Sequence, residues 1–268
     1  HSLVILTGEG GNGKGTFYKA VIFALGDYAE MADPQLFLER KGETSQGEMA
    51  LRGQRLVVVT ESGRDVSLDE ARTKRLTGGD IISGRYLYQR QISFTPSHLP
   101  LLVTNHLPKV SGDDEAVWRR LRVVPFDVVI PQPWDKHIDE KLEAEADAVL
   151  SWAIAGWADY RSRGEELDEP KDVLVRTAKY RDDSDDVGRF IRECCLTSSP
   201  VNKATTAEMH QAYARWAAKE GGEELTLRQF GAALDHKGFR VTQRTKAARF
   251  RGGIALDPVA ARGDDDDR

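Results

Sequence analysis

Long apolar runs are absent from this 268-residue chain: stretches such as Leu3 to Leu6 and Leu56 to Val59 stay far below the roughly 20 residues that a membrane-spanning helix needs. No secretory signal is expected from the pattern of these residues either. Cysteine is nearly absent. Cys194 and Cys195, side by side, are too few for a disulfide scaffold, offer no C-x-x-C spacing for zinc, and are expected as a reduced pair in a core. The six histidines, at positions 1, 98, 106, 137, 210 and 236, include no i, i+4 pair, which argues against a metal site built on them. A surplus of positive charge is lacking too, and the formal net charge of −5, taken whole, speaks against a nucleic-acid partner. What the composition does supply, 40% hydrophobic and 30% charged residues, belongs to a soluble folded protein rather than a disordered one. Because the chain opens on His1 rather than Met, it is expected to be part of a longer polypeptide with a further amino-terminal domain.

Four short apolar runs read as buried strands: Leu3 to Thr7, Leu56 to Thr60, Leu101 to Thr104 and Leu121 to Phe126. The first feeds directly into a glycine-rich loop, Gly8 to Thr16, and a helical pattern from Phe17 to a stop at Gly26. Polar residues at the carboxyl ends of such runs predict an open α/β sheet with its site at the strand ends. After Pro131 and Pro133 the pattern turns helical, from Ile138 to Tyr160, and a polar connection follows from Gly164 to Asp172. Beyond residue 186 the spacing predicts three helices, Val187 to Cys195, Ala207 to Lys219 and Leu227 to Lys237, with Thr205 and Thr226 near their amino-terminal caps. Two strands, Phe239 to Val241 and Phe250 to Leu256, complete the plan of a winged helix-turn-helix, and the acidic tail is expected to be disordered.

The glycine loop admits three readings. As Gly8-x-Gly10-x-x-Gly13 it fits a dinucleotide fingerprint, but no convincing strand precedes the acids at Asp27 and Glu30. As Gly8-x4-Gly13-Lys14 it is a phosphate-binding loop, in which backbone N–H groups and a helix amino terminus cradle phosphates and a lysine neutralises them. The third reading is a structural turn, for which five glycines around Asn12 and Lys14 are extravagant. Gly15 follows Lys14 where a magnesium-binding hydroxyl is standard, and Thr16 stands one place later. Nucleotide kinases share that ending, so the loop alone does not separate a kinase from a motor ATPase. Glu61, just past the second strand, stands where ATPases keep the carboxylate that orients the attacking water, and Asn105 at the third strand's tip could hold that water from the other side. Arg119 and Arg120 suit an arginine finger reaching a neighbouring subunit.

Together, Gly10 to Thr16, Thr60-Glu61-Ser62, Lys74 to Asp80 with Arg85, Thr104-Asn105 and Trp118 to Phe126 resemble the superfamily 3 helicase region of phage and plasmid primase-helicases. The resemblance covers roughly residues 3 to 130 and extends more weakly beyond. It implies an α/β fold of the AAA+ (ASCE P-loop) class, with a parallel-sheet domain followed by helices and a carboxy-terminal winged helix-turn-helix. The corresponding boundaries are an ATPase domain over 1–165, a helical linker over 166–185, a winged-helix domain over 186–257 and a tail over 258–268. It also implies hexameric rings that hydrolyse ATP with Mg2+ between subunits and move along single-stranded DNA. Carried over residue by residue, Gly8, Glu9, Gly10, Gly11, Asn12, Gly13, Lys14, Gly15 and Thr16 hold ATP, and Thr16 and Glu61 serve the magnesium ion. Glu61 belongs to the Walker B acid, Asn105 is sensor 1, and Arg119 or Arg120 is the finger. Thr60 stands where many relatives carry a further Asp.

In that family a hairpin before sensor 1 grips the DNA strand. Ile81 to Phe94 alternates as such a hairpin, making Arg85, Tyr88 and Arg90 candidates for DNA contact, and Lys74, at the start of the Lys74 to Asp80 motif, is a further candidate. A second basic set, including Lys237, Arg240, Arg244, Lys246 and Arg251, lies in the winged helix, with a net +6 over residues 228 to 251. Residues 72 to 122 carry +5 and residues 134 to 186 carry −8, so the mild overall acidity hides two basic regions. The expected partners are single-stranded and forked duplex DNA, further copies of the chain, and an amino-terminal primase or oligomerisation domain of the same polypeptide. The expected setting is the cytoplasm, that of a host cell if the source is a phage or mobile element. Two other functions stay open: a DNA-binding or scaffold module with a vestigial nucleotide site, and a nucleotide kinase, for which no acceptor lid is evident.

Overall fold

Leu3–Thr7 (β1) is apolar from Leu3 to Leu6 because it is buried within the sheet, paired in parallel with a strand on each side. The computed structural model describes residues 1–33, 35–39, 45–60, 63, 66–85, 90–110, 114–245 and 248–258. They form two compact units, the first ending at Tyr180 and the second beginning at Arg181.

The first unit is built on a five-stranded parallel sheet. After β1 come α1 (Lys14–Leu25), a 3-10 turn over Gly26–Tyr28, β2 (Ala29–Met31), α2 (Ser45–Met49), β3 (Leu56–Thr60) and α3 (Glu70–Thr77). An antiparallel hairpin, β4 (Ile82–Gly84) with β5 (Ile92–Phe94), leads to β6 (Leu99–Thr104), α4 (Glu115–Trp118) and β7 (Leu121–Pro125). The strand order is β2-β3-β6-β1-β7. Side chains alternate between two cores: Leu3, Ile5, Val57, Val59, Leu102 and Val123 face one, Leu6, Leu56, Val58, Leu101 and Val103 the other. The second core is closed by Tyr18, Val21, Ile22 and Leu25 of α1, and the first by Leu36, Phe37, Leu76 and Trp118. The strand β2 is an addition to the strands read from the sequence; it begins at Ala29, so α1 and the 3-10 turn, not a strand, lead into Asp27. It is a three-residue edge strand with one buried side chain, Ala29, and takes its order from pairing with β3.

The single helix expected from Ile138 to Tyr160 is two, α5 (Ile138–Ala144) and α6 (Ala146–Ser162), parted where Glu145 leaves helical geometry at φ −102, ψ 20. Hydrophobic spacing runs through the break because both helices pack on α1. Phe17 meets Trp152 edge-on with ring centroids 6.3 Å apart, and Lys19 pairs with Asp139 at 3.3 Å. The stretch 166–185, expected as a linker, is mostly α7 (Lys171–Ser184), and it packs on the first unit as far as Tyr180. Tyr180 stacks edge-on against Trp118 at 5.2 Å and donates its hydroxyl to the Pro108 carbonyl, while the Val123 N–H donates to Thr177 Oγ1 at 3.0 Å. These partners lie far away in sequence, so nothing local marks the helix as part of this core.

The second unit contains α8 (Asp186–Cys194), β8 (Cys195–Leu196), β9 (Lys203–Thr205), α9 (Thr206–Glu220), α10 (Leu227–His236), β10 (Val241–Arg244), β11 (Arg249–Gly252) and β12 (Ala255–Leu256). Thr205 and Thr226 each form a complete capping box, with Glu208 and Gln229. Phe190, Tyr213, Trp216 and Phe230 interlock as the core. The expected second strand is divided into β11 and β12 because Gly253 takes a left-handed φ of 77. β11 pairs with both β10 and β9, the latter an addition to the expected hairpin. The two cysteines are free and half-buried against this core, and burial pushes the Cys195 thiol up to about 12.

Candidate functional site

The loop leaving β1 is shaped by glycines that no other residue replaces cheaply. Gly8 sits at φ 150, and a Cβ there would lie 2.3 Å from the Phe126 carbonyl oxygen. That approach lets Asn12 donate from Nδ2 to the same carbonyl at 2.6 Å, pinning the loop to the end of β7. Gly11 and Gly13 take φ of 76 and 84, which turn the chain into α1. Lys14 opens that helix and folds back across the loop, where Nζ donates to Gly8 O at 2.6 Å, Glu9 O at 3.1 Å and Asn12 Oδ1 at 3.1 Å. Its residue is only 6% exposed, and burial pushes its pKa below the ordinary lysine value. The first-turn N–H groups of α1 face the same space, without helical carbonyls to satisfy them.

The loop forms one wall of a cleft of about 1010 Å³. Thr60, Val103, Thr104 and Asn105 line it from the carboxyl ends of β3 and β6. The register puts Thr7 beside Thr104 and Thr60 beside Val103, so these ends reach the same edge of the sheet. Thr104 Oγ1 donates to His106 O at 2.7 Å and accepts from His106 N at 3.0 Å, a turn that leaves Asn105 exposed at the tip. Thr16 lines the cleft from α1. Glu61, the residue after Thr60, lies outside the described residues, as do Tyr88 and Lys246.

Sequence reasoning missed the segment after β7. Ile130 N donates to Gly11 O at 2.9 Å, and Trp134 Nε1 donates to Ile130 O at 2.8 Å, so this strap lies along the loop and lines the cleft. Its links to the loop are made by backbone atoms, and its prolines at 131 and 133 read as a boundary rather than as part of a site.

Neither Arg119 nor Arg120 lines the cleft, and the two differ. Arg119 is exposed with no side-chain partner among the described residues. Arg120 is half-buried and donates to the Ala116 carbonyl within its own turn. Several expected DNA contacts are committed elsewhere. Lys74 pairs with Asp114 at 2.5 Å, and that hydrogen bond is the main cause holding the Asp114 carboxyl below the usual range. Asp114 also caps α4, the helix leading to Arg119. Lys237 pairs with Asp185 at 2.5 Å. Arg251 is 3% exposed and spends its guanidinium on Thr206 Oγ1 at 3.0 Å, Asp235 Oδ1 at 2.6 Å, Gly231 O at 2.8 Å and the Phe239 carbonyl, which removes it from the basic surface. Arg85 and Arg90 are exposed on the two sides of the β4–β5 tip, and Arg240 and Arg244 are exposed in the second unit. No group of three or more metal-binding side chains occurs among the described residues, and no described helix is long and apolar enough to cross a membrane.

Residues 6–120 match a family model described as "Family of unknown function (DUF5906)". The chain is 29% identical over 241 residues to "Putative helicase L207/L206" of Acanthamoeba polyphaga mimivirus, covering 80% of this chain and 24% of that protein. It is 27% identical over 249 residues to "Putative helicase 022R" of Frog virus 3, covering 85% and 25%. It is 25% identical over 236 residues to "Putative primase C962R" of African swine fever virus (isolate Warthog/Namibia/Wart80/1980), covering 80% and 24%. The chain thus spans about a quarter of the length of these viral relatives. Among solved structures, "The apo structure of NrS-1 C terminal region (305-718)" superposes with a TM-score of 0.51 at 11% identity, over 95% of this chain and 67% of that one, which makes the fold a shared one. The relatives set the chain beside proteins named as helicases and primases of large DNA viruses.

Proposed function

We propose that the chain is the ATP-hydrolysing motor of a replicative DNA helicase of the superfamily 3, AAA+ type, working in a ring on single-stranded DNA as one part of a longer primase-helicase. The observation that carries this reading is the loop around Lys14. An ammonium held by two backbone carbonyls and an amide oxygen, beside free helix N–H groups, is preset for anionic oxygens to take over from those acceptors. The β and γ phosphates of ATP supply such oxygens. The donor set suits Mg2+ bound largely through those phosphates, since Thr16 lines the cleft and the described residues hold no group of three or more metal-binding side chains, with Glu61 named from the sequence to serve the ion. When bound, the ion neutralises charge building on the phosphate oxygens. Glu61 accepts a proton from the attacking water, and Asn105, exposed at the tip of β6 on the cleft, orients that water.

Arg119 is the finger in this reading, because it is exposed, carries no partner among the described residues and lies outside its own cleft, whereas Arg120 is held by its own helix. The β4–β5 hairpin grips the strand through Arg85 and Arg90, with Tyr88 a further candidate named from the sequence. The second unit is a winged helix that offers Arg240 and Arg244 to phosphates, with Lys246 a further candidate named from the sequence. The test is steady-state ATP turnover with and without single-stranded DNA. Stimulated turnover, abolished in both Lys14→Ala and Glu61→Gln, is expected; turnover unchanged by either substitution refutes the proposal. Gly15 and Thr60 favour a second reading, a module that binds nucleotide without turnover, and tight ATP binding with no hydrolysis on any DNA supports that one instead.

A further inference from the structure

The cleft is lined by more than the phosphate loop and the strand ends at Thr60 and Asn105, where the terminal phosphate is expected. Ile130, Trp134 and Ile138 line it too, beside Lys19, Asp135, Lys136 and Asp139, and no phosphate chemistry accounts for these apolar side chains. Trp134 is the largest of these side chains and is 54% exposed. Its ring lies against the loop, since a Cβ on Gly11 would come within 3.4 Å of it. Its orientation is fixed by two successive hydrogen bonds, from the indole N–H to Ile130 O at 2.8 Å and from Ile130 N to Gly11 O at 2.9 Å. A flat aromatic ring tied to the phosphate loop yet left open to the cleft is a stacking platform.

We propose that Trp134 is the nucleobase platform of this site, stacking the purine ring of a nucleoside triphosphate whose phosphates occupy Gly8 to Thr16. The inference rests on the phosphate-loop reading above. The acids that line the cleft are already engaged: Asp139 with Lys19 at 3.3 Å, and Asp135 with Lys141 at 2.6 Å and with the His137 N–H at 2.9 Å. The base edge therefore meets few fixed acceptors, and selection acts on ring size rather than on the hydrogen-bonding edge. ATP and GTP are expected to bind within about fivefold of each other, with CTP weaker than both.

The experiment is titration calorimetry in Mg2+ with ATP, GTP, CTP and inorganic tripolyphosphate, on the unsubstituted chain and on Trp134→Ala, Trp134→Phe and Lys14→Ala. Stacking predicts that Trp134→Ala weakens ATP at least about fivefold while tripolyphosphate stays within about twofold, and that Trp134→Phe regains most of the loss. ATP binding unchanged in Trp134→Ala, tripolyphosphate weakened as much as ATP, or ATP no tighter than tripolyphosphate in the unsubstituted chain overturns the platform and leaves the phosphate loop standing. Tripolyphosphate binding that is absent, or indifferent to Lys14→Ala, overturns the phosphate-loop reading and the platform with it.

Discussion

Replacing Lys14 by methionine separates a structural lysine from a ligand-directed one. Burial pushes the pKa of this lysine down although three oxygens accept from its Nζ, so without ligand the site as a whole works against the charge. Methionine keeps the length of the side chain and drops the charge, and the melting temperature of the unliganded variant is expected to equal or exceed that of the parent. Nucleotide binding moves the other way. One charge-assisted hydrogen bond to phosphate contributes about 1.5–3 kcal/mol, so its loss weakens affinity about 10- to 150-fold. At a nucleotide concentration about 100 times the parent's Kd, binding stabilises the parent by about 2.7 kcal/mol, but a variant weakened about 100-fold by only about 0.4 kcal/mol. For a unit of this size the shifts are about 5–10 °C and about 1 °C, read by thermal unfolding with and without ATP. A variant that keeps the full ligand shift, or whose unliganded melting temperature falls by more than about 3 °C, refutes the reasoning, because Lys14 then serves the fold rather than the phosphates.

The two arginines after α4 should behave differently. Arg119→Ala is expected to leave melting unchanged and to suppress ATP turnover, with partial recovery on mixing with Lys14→Ala, whereas Arg120→Ala lowers stability by about 1 kcal/mol through its lost bond to Ala116 O; equal melting losses contradict the assignment. His98 has both ring nitrogens buried without a partner among the described residues, and burial lowers its pKa to about 4. The unfolded chain takes up this proton near pH 6.5 and the folded one only near 4, so stability is whole above pH 6.5 and falls by at most about 3 kcal/mol as the pH drops through that window. Denaturant titrations of His98→Phe should show that dependence flattened. Arg85→Ala should lower single-stranded DNA affinity and reduce the slope of log K against log salt by about 0.7, while Lys74→Ala, acting through Asp114 and α4, should lower ATP turnover and leave the salt slope unchanged.

What was legible in the sequence is what local physics dictates. β1 carries the bounds read from its apolar run, because a parallel strand buried within the sheet must be apolar along most of its length, and the loop's turns fall at Gly8, Gly11 and Gly13, where left-handed backbone excludes other residues. The caps at Thr205 and Thr226 were legible for the same reason, since a threonine with Glu or Gln three residues on satisfies helix N–H groups whatever lies beyond. Features that depend on distant partners were not. β2, β8 and β9 are two- or three-residue strands ordered by pairing, and α7 docks through Thr177 and Tyr180 onto atoms 54 and 72 residues away. The strap that carries Ile130 and Trp134 reaches the loop through carbonyls and amides, which no side-chain pattern announces.

Charge shows how the same limit shapes function. Counted along the chain, residues 72 to 122 form a basic region. In space, Arg72 pairs with Asp69, Lys74 with Asp114, Arg75 with Glu48 and Arg122 with Glu169, so four of the nine cations of that region bind the fold to itself. Arg85 and Arg90 beside β4 and β5 and Arg119 after α4 are exposed where strands and helices end. The second unit repeats the division, with Lys237 and Arg251 engaged internally and Arg240 and Arg244 left outward. Among the described residues, Arg119 stands after α4, whereas Arg244 lies across from the exposed Arg249 in the β10–β11 pair, so the second unit presents neighbouring cations. In the proposed reading these few outward cations hold a strand at its phosphates, and each one removed should lower the salt dependence of single-strand binding by a similar step.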